Sequence, residues 1–212
     1  TGVIEWTFPR GHKHLWDRQR HWHRLQWDGC TALIDLSTRQ GRVECDEKPL
    51  EGADLRERLD DAWSIWANDS FWLNPLTKLR DKGTERRLVT LEDNREALLI
   101  TYRSGGVTPG DSYLWTVDEE GQVTACTMWV QIIPIGGLDF SWDDWQTLDT
   151  GARVATRHRG PLRCGTYTPL APSLLEMLGR CCRIPSVLAH PRLPVPARSH
   201  CAPSAAASAP ER

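Results

Sequence analysis

The sequence has no long apolar segment, and it lacks the short motifs that identify many common enzymes. No run approaches the roughly eighteen apolar residues of a membrane-spanning helix. G-x-S-x-G, the Walker phosphate loop, H-E-x-x-H and G-x-G-x-x-G are all absent. The first residues, TGVIEWTFPRG, have neither a basic start nor an apolar core. We therefore expect a protein that is not transmembrane, with no signal peptide in this chain and no catalytic residues.

A strong net charge is also missing, and so is the cysteine spacing of a zinc site. The formal net charge is only −2, which gives no electrostatic basis for binding nucleic acid or an anionic membrane. Of the seven cysteines, Cys30, Cys45 and Cys126 are scattered and four fall in the last quarter of the chain. This spacing predicts neither a zinc knuckle nor a disulfide framework. No cofactor and no metal are expected.

Tryptophan is abundant, but only in one part of the chain. The 212 residues are 40% hydrophobic and 25% charged, which is typical of a globular protein. The 11 tryptophans all precede residue 160, whereas most of the 14 prolines follow it. We interpret residues 1–160 as one folded domain. Residues 161–212 are rich in Pro, Ala and Arg, and are either a disordered tail or a segment translated out of frame.

Within the body, alternating apolar residues and turn signals predict an antiparallel sheet of consecutive hairpins. HLWDRQRHWHRLQW is either one long strand or two strands joined at WDRQR. Shorter strands are predicted in the segments VIEWTF, TALIDLS, RVECDE, RRLVTLE, ALLITYR, SYLWTVD, QVTACTMWVQ, FSWDDWQTL and GARVATRHR. Such a meander favours a mainly β fold that curls, an incomplete antiparallel barrel, over a parallel α/β sheet.

One amphipathic helix is predicted over residues 53–68, against the concave face of the sheet. Its apolar residues recur at helical spacing, and Trp63 and Trp66 lie on that face. Asp54 followed by Glu57 indicates a capping box at its start. Residues 68–70 are expected to end the helix by local hydrogen bonds, and Asn74 is expected to be extended because it precedes Pro75.

The histidines and acids allow chemical interpretations without requiring them. Each H-x-H pair, 12–14 and 21–23, places two imidazoles on one side of a strand, and all four would meet if WDRQR turned the chain back. The simpler expectation is solvent-facing histidines on an exposed strand. The acids Asp69, Asp81 and Asp111 would be the residues of a hydrolase, although no motif supports one.

Three longer motifs resemble an uncharacterised family of bacterial exported proteins. They are NDSFWLNPLTKLRDKG, GVTPGDSYLWTVDEEGQV and FSWDDWQTLDTGARVATRHR, and DLSTRQGRV resembles a further part of that family. The resemblance covers about residues 1–158 and does not extend into the tail. It implies a fold similar to the lipoprotein-localisation factors, whose incomplete barrel shields acyl chains during transit of the periplasm. It also implies a periplasmic or outer-membrane-associated location, and a helix that would precede Thr1.

Three functions therefore stay open: a carrier of an apolar ligand such as a lipid or acyl chain, an acid-based hydrolase, and a closed structural or interaction domain that has no ligand and could bind a protein partner. The first uses the apolar hollow that the fold would provide. Its lining would be Trp63, Trp66, Trp72, Tyr113, Trp115 and Trp129. Its polar mouth would be Asn68, Asp69, Lys78 and Asp81.

Overall fold

The structure is a computed structural model, and it describes residues 2–105, 107, 109–131, 137–160, 181–183 and 186–190. Consecutive antiparallel strands make up about half of this part of the chain. They are β1 Val3–Thr7, β2 Lys13–Asp17, β3 Trp22–Trp27, β4 Cys30–Asp35, β5 Gly41–Cys45, β6 Lys48–Pro49, β7 Thr84–Thr90, β8 Glu96–Tyr102, β9 Ser112–Val117, β10 Val123–Trp129, β11 Leu138–Ser141, β12 Asp143–Thr147, β13 Arg153–Arg159, β14 Cys181–Arg183 and β15 Ser186–His190.

The strands form three sheets. The first has seven strands in the order β15-β1-β2-β3-β4-β5-β6, the second has five in the order β11-β10-β9-β8-β7, and the third is β12-β13-β14. Neighbouring strands are antiparallel, and none of these sheets closes on itself in the described residues. The predicted mainly β fold, an incomplete barrel with one helix, is confirmed.

Hairpins were the most predictable feature, but one predicted strand is divided. FSWDDWQTL forms β11 in the second sheet and β12 in the third, with Trp142 between them. The backbone turns at Asp144, which has a positive φ of 57°. Trp142 is 2% exposed. The chain therefore changes sheets where a fully buried indole enters the core.

The α-helix α1 runs over Gly52–Phe71 and is longer than predicted at both ends. Glu51 is its N-cap and makes no side-chain cap hydrogen bond, so the expected capping box is wrong. The helix also continues through Asp69 and Ser70, both buried, which were expected to end it. Asn74 is extended as predicted, and its side chain accepts a hydrogen bond from Leu76 N at the start of the 3-10 helix Pro75–Lys78. No helix in the described residues is both long and apolar enough to cross a bilayer.

The hydrophobic core consists of three clusters. One lies under the second sheet and is centred on Trp115, Phe140 and Trp142. Another joins β3–β5 to the first half of α1, around Leu25, Ile34 and Leu59. The smallest contains Ile4, Trp6, Leu73 and Val154, with Trp16 and Trp66 packed at its edge. Helix α1 thus crosses the first sheet and reaches more than one cluster.

Cys30 and Cys45 form a disulfide, contrary to the expectation of no disulfide framework. They are Cα partners across β4 and β5, so the hairpin around Thr38-Arg39-Gln40 brings together two cysteines that are 15 residues apart. The sequence did contain a signal for this bond, namely one cysteine in each of two strands predicted to form a hairpin. The spacing of the cysteines along the chain does not reveal it. Cys126 is free and buried, and burial raises the pKa of its thiol.

We expect the double variant Cys30→Ala/Cys45→Ala to lose about 2–3 kcal/mol of unfolding free energy. The disulfide restricts a loop of the unfolded chain, and without it that loop gains conformational entropy. Urea denaturation followed by circular dichroism measures this. Dithiothreitol should destabilise the wild type to a similar extent and leave the variant unchanged. Equal sensitivity of both proteins to reductant would contradict the bond.

Two short strands lie within the segment predicted as a tail. β15 pairs with β1, and β14 pairs with β13. Those eight residues are therefore paired strand rather than disordered. The rest of residues 161–212 lies outside the described residues, and the division of the chain at residue 160 stays a prediction.

Candidate functional site: a buried histidine–aspartate cluster

Asp69, near the end of α1, contacts two histidines from the start of the first sheet. Its Oδ2 atom lies 2.7 Å from His12 Nδ1 and 3.0 Å from His14 Nε2. The side chain of Asp69 is 2% exposed, that of His14 is 0% exposed and that of His12 is 13% exposed. A helix end is thus fastened to β2 and the turn before it through one carboxylate oxygen.

Two hairpins bring the histidines to this position. The turn after Phe8 is closed by hydrogen bonds from Gly11 N to Phe8 O and from Phe8 N to His12 O. His12 therefore comes directly before β2, two residues from His14 and on the same side of the chain. At the other end of β2, Asp17 Oδ1 accepts hydrogen bonds from the backbone N–H groups of Gln19 and Arg20. This turn sends the chain back as β3, which carries His23.

Further contacts fix the orientation of the cluster. Asn68 Nδ2 donates to Asp69 Oδ1 at 2.8 Å, so the other carboxylate oxygen faces the imidazoles. His14 Nδ1 and His23 Nε2 share a hydrogen bond of 3.1 Å. The indole of Trp6 stacks on His14 with centroids 4.2 Å apart and an interplanar angle of 2°. Each ring in the cluster is thus held by both a polar and an apolar contact.

Burial and hydrogen bonding act against each other in this cluster. Burial lowers the pKa of His14, although the hydrogen bond to Asp69 raises it in part. Burial, together with His14, lowers the pKa of His23 well below its usual range. Burial alone would raise the pKa of Asp69, but the hydrogen bonds from His12 and His14 outweigh it and the pKa is lowered. The arrangement therefore favours an ionised Asp69 carboxylate beside a neutral His14, which in turn contacts a neutral His23.

The expectation of solvent-facing histidines is wrong for His14 and His23, which are 1% and 0% exposed. A continuous strand would have separated the two H-x-H pairs, but the turn at Asp17 folds them together. His21 lies in that turn, is exposed and does not join the cluster. The strict alternation of buried residues in β3, at His23, Leu25 and Trp27, was the signal for an inward-facing histidine.

The residues predicted to line a hollow fall into separate regions. Trp63 packs against the core cluster that joins β3–β5 to α1, and Trp66 packs against the smallest core cluster, which contains Ile4 and Trp6. Trp72 and Tyr113 pack against the second-sheet cluster, of which Trp115 is a buried member. Trp129 lies on the returning strand of that sheet and is 40% exposed. The structure thus groups Trp72, Tyr113 and Trp115, and places Trp63 and Trp66 beside each other with centroids 6.2 Å apart.

The residues predicted to form a polar mouth also separate. Asn68 is exposed and Asp69 is buried, and the two are hydrogen-bonded. The half-buried Lys78 places its Nζ 4.5 Å from the centroid of Trp66. Burial lowers the pKa of Lys78, while nearby Asp81 acts in the opposite direction. Lys78 is the member of this set that adjoins the aromatic face of α1.

The three acids considered for a hydrolase have different surroundings. Asp111 is buried in the second sheet and accepts hydrogen bonds from the backbone N–H of Gln131 and from the hydroxyl of Tyr113. Asp81 is exposed beside Lys78. Among the described residues, the group of His, Cys, Asp and Glu side chains close enough to share an ion contains Asp69 but neither of these two. A shared carboxylate site is therefore not formed by this set.

No protein-family model matches the sequence, and no curated protein matches it.

Proposed function

We propose that the protein is a non-catalytic periplasmic binding protein that holds an apolar ligand with an anionic head, such as a fatty acid, under helix α1. The observation that carries this proposal is the incomplete burial of the helix's apolar side. Leu59 and Ala62 are buried, but Trp63 and Trp66 are only partly buried. Two adjacent indoles on a helix that covers a sheet provide apolar surface that an acyl chain would bury.

The cations beside these indoles support an acidic head group. The guanidinium of Arg39 lies 3.7 Å from the ring centroid of Trp63, and the ammonium of Lys78 lies 4.5 Å from that of Trp66. Since burial lowers the pKa of Lys78, its charged form is poorly solvated. An anion placed there would stabilise the ammonium and gain a charge-assisted hydrogen bond.

The disulfide supports the proposed periplasmic location. Disulfides persist in oxidising environments such as the bacterial periplasm and are rare in the cytosol. Cys30 and Cys45 form one between β4 and β5, the strands that α1 covers. A periplasmic location agrees with the resemblance to exported proteins and to lipoprotein-localisation factors.

We expect the protein, purified from the periplasm without detergent, to carry stoichiometric fatty acid or phospholipid in an organic extract analysed by mass spectrometry. After delipidation, equilibrium dialysis with radiolabelled palmitate should show one saturable site. Lys78→Met should weaken palmitate binding about tenfold, because it removes a charge-assisted hydrogen bond that contributes at least about 1.4 kcal/mol.

Lys82→Met is the matched control, because Lys82 is exposed and only four residues away. Palmitate affinity should not change in this variant. A folded protein that carries no lipid and takes up no palmitate would reject the proposal. Such a protein would favour the closed structural domain, with its partly buried tryptophans used for a protein partner.

A further inference from the structure

We propose that His12, His14 and Asp69 form a binding site for a divalent transition-metal ion, with zinc as the ion that best fits the ligand set. The metal-ligating atoms of the three side chains lie within 4.8 Å of one another. Zinc is commonly bound by imidazole nitrogen and carboxylate oxygen, with three protein ligands and one open position. This inference does not depend on apolar ligand binding, since it uses different side chains.

The distances are close to those of a bound ion. Two ligand atoms that are each about 2.0–2.1 Å from a tetrahedral zinc ion lie about 3.3 Å apart. Asp69 Oδ2 lies 2.7 Å from His12 Nδ1 and 3.0 Å from His14 Nε2. Replacing the hydrogen-bonding protons by an ion thus requires the oxygen of Asp69 to move about 0.5 Å away from each imidazole. The two imidazole nitrogens, which lie within 4.8 Å of each other, would have to approach to about 3.3 Å.

The surroundings already orient each ligand. The second ring N–H of a metal-binding histidine usually donates a hydrogen bond to a fixed partner, which sets the orientation of the ring. His14 has such a partner in His23 Nε2, at 3.1 Å from its Nδ1. Asp69 has one in Asn68, which binds the carboxylate oxygen that faces away from the imidazoles. Trp6 stacks flat on His14 and prevents its ring from tilting.

Charge and access also fit a cation. Among the described residues, the ion-pair partners of Asp69 are the two histidines, and no lysine or arginine lies within pairing distance of its carboxylate. The side chain of His12 is 13% exposed, whereas those of its two partners are 2% exposed or less. An ion would therefore enter from the His12 side, where a water molecule would complete its coordination.

The ligand types predict selectivity. Two imidazoles and one carboxylate suit zinc and cobalt, whereas magnesium and calcium require a shell made of oxygen ligands. The site's ligand atoms also differ from those that the chain's cysteines would supply, because a cysteine thiolate binds zinc through sulfur. Ligand identity is therefore the property that distinguishes this site from adventitious binding.

The test is zinc titration of the full chain. Bound metal is first removed with a chelator, the chelator is removed in turn, and the free thiols are alkylated with iodoacetamide before the titration. Isothermal titration calorimetry should show one zinc ion per chain and no binding of magnesium. X-ray absorption at the zinc edge of the wild type, measured without alkylation, should show nitrogen and oxygen ligands without sulfur. Cobalt should give a visible spectrum without thiolate charge-transfer bands.

Two variants locate the site. His12→Gln should weaken zinc binding at least tenfold, and it should fold because His12 is the most exposed of the three ligands. His21→Gln is the matched control, because His21 belongs to the second H-x-H pair but lies outside the cluster, and its zinc affinity should equal that of the wild type.

Lack of a stoichiometric zinc site, sulfur ligation, or unchanged affinity in a folded His12→Gln variant would each overturn the proposal. The absorption measurement needs no variant and decides the ligand set even if His12→Gln does not fold. Palmitate binding by a protein without a zinc site would leave the proposed function intact, so the two failures are distinguishable.

Discussion

Replacing Asp69 with alanine is expected to lower the free energy of unfolding by about 3–5 kcal/mol, measured by urea denaturation in the presence of a chelator. The carboxylate is buried and contacts three side chains, namely those of His12, His14 and Asn68. Its removal leaves at least one buried imidazole N–H without an acceptor, which costs about 1–3 kcal/mol, and creates a cavity beside it.

Two comparisons make this result specific to the cluster. Asp69→Asn keeps the shape and one acceptor oxygen, so we expect a smaller loss. Asp61→Ala removes a carboxylate from the same helix, but one that pairs with Arg58 at the surface, and should cost no more than about 0.5 kcal/mol. Equal losses in Asp69→Ala and Asp61→Ala would mean that the contacts with the histidines are not formed in solution.

The hairpins were predictable because their signals are local. In TALIDLSTRQGRVECDE, apolar alternation and a turn sequence lie within a few residues of each other, and β4 and β5 form as expected. The division of FSWDDWQTL could not be read in the same way. Alternation continues through Trp142, and only the packing of that indole against Trp72 and Trp115 shows why the strand leaves one sheet for another.

The histidine cluster depends on contacts between distant parts of the chain. His12 and Asp69 are 57 residues apart, and nothing local to residues 68–70 indicates that α1 continues past them to reach the first sheet. The sequence suggested that Asn68, Asp69 and Ser70 would hydrogen-bond to their own helix end. Tertiary contacts with His12 and His14 override that local preference, because a buried carboxylate requires strong donors.

Helix α1 connects the two proposals. Trp66 and Asp69 are three residues apart on the helix and so lie on neighbouring parts of its surface. The ring of Trp66 also lies 6.5 Å from that of His23, which hydrogen-bonds His14. The end of the helix that covers the first sheet is therefore held by the histidine–aspartate cluster, directly beside the indole proposed to contact ligand.

Lowering the pH from 7 to 4.5 is expected to destabilise the protein by several kcal/mol, through buried histidines that are neutral in the folded state. Burial lowers the pKa of His158 to about 4, although nearby backbone carbonyls and Asp143 act in the opposite direction. In the unfolded chain the same imidazole titrates near 6.5. Between these values the unfolded state binds the extra proton, so stability falls as the pH falls, by about 3 kcal/mol for this residue when the pH approaches 4.

The other two buried histidines act with the same sign in the metal-free protein. The pKa values of His14 and His23 are lowered, so their stabilising effect is also complete above pH 6.5 and is lost below it. The lowered pKa of Asp69 contributes only at more acidic pH, because its stabilisation is lost as the pH falls below the ordinary value of 3.8. The loss between pH 6.5 and 4.5 therefore reports on imidazoles rather than on carboxylates.

Urea denaturation at a series of pH values measures this slope, and His158→Phe isolates one contributor. His158 packs against Trp142 with ring centroids 4.3 Å apart, and phenylalanine keeps an aromatic ring there without a titratable nitrogen. We expect a shallower fall in stability below pH 6.5 in this variant. His21→Asn, at an exposed turn position with positive φ, should keep the wild-type slope. A His158→Phe slope equal to that of the wild type would mean that His158 is solvated in the folded protein, because only a buried imidazole resists protonation between pH 4 and 6.5.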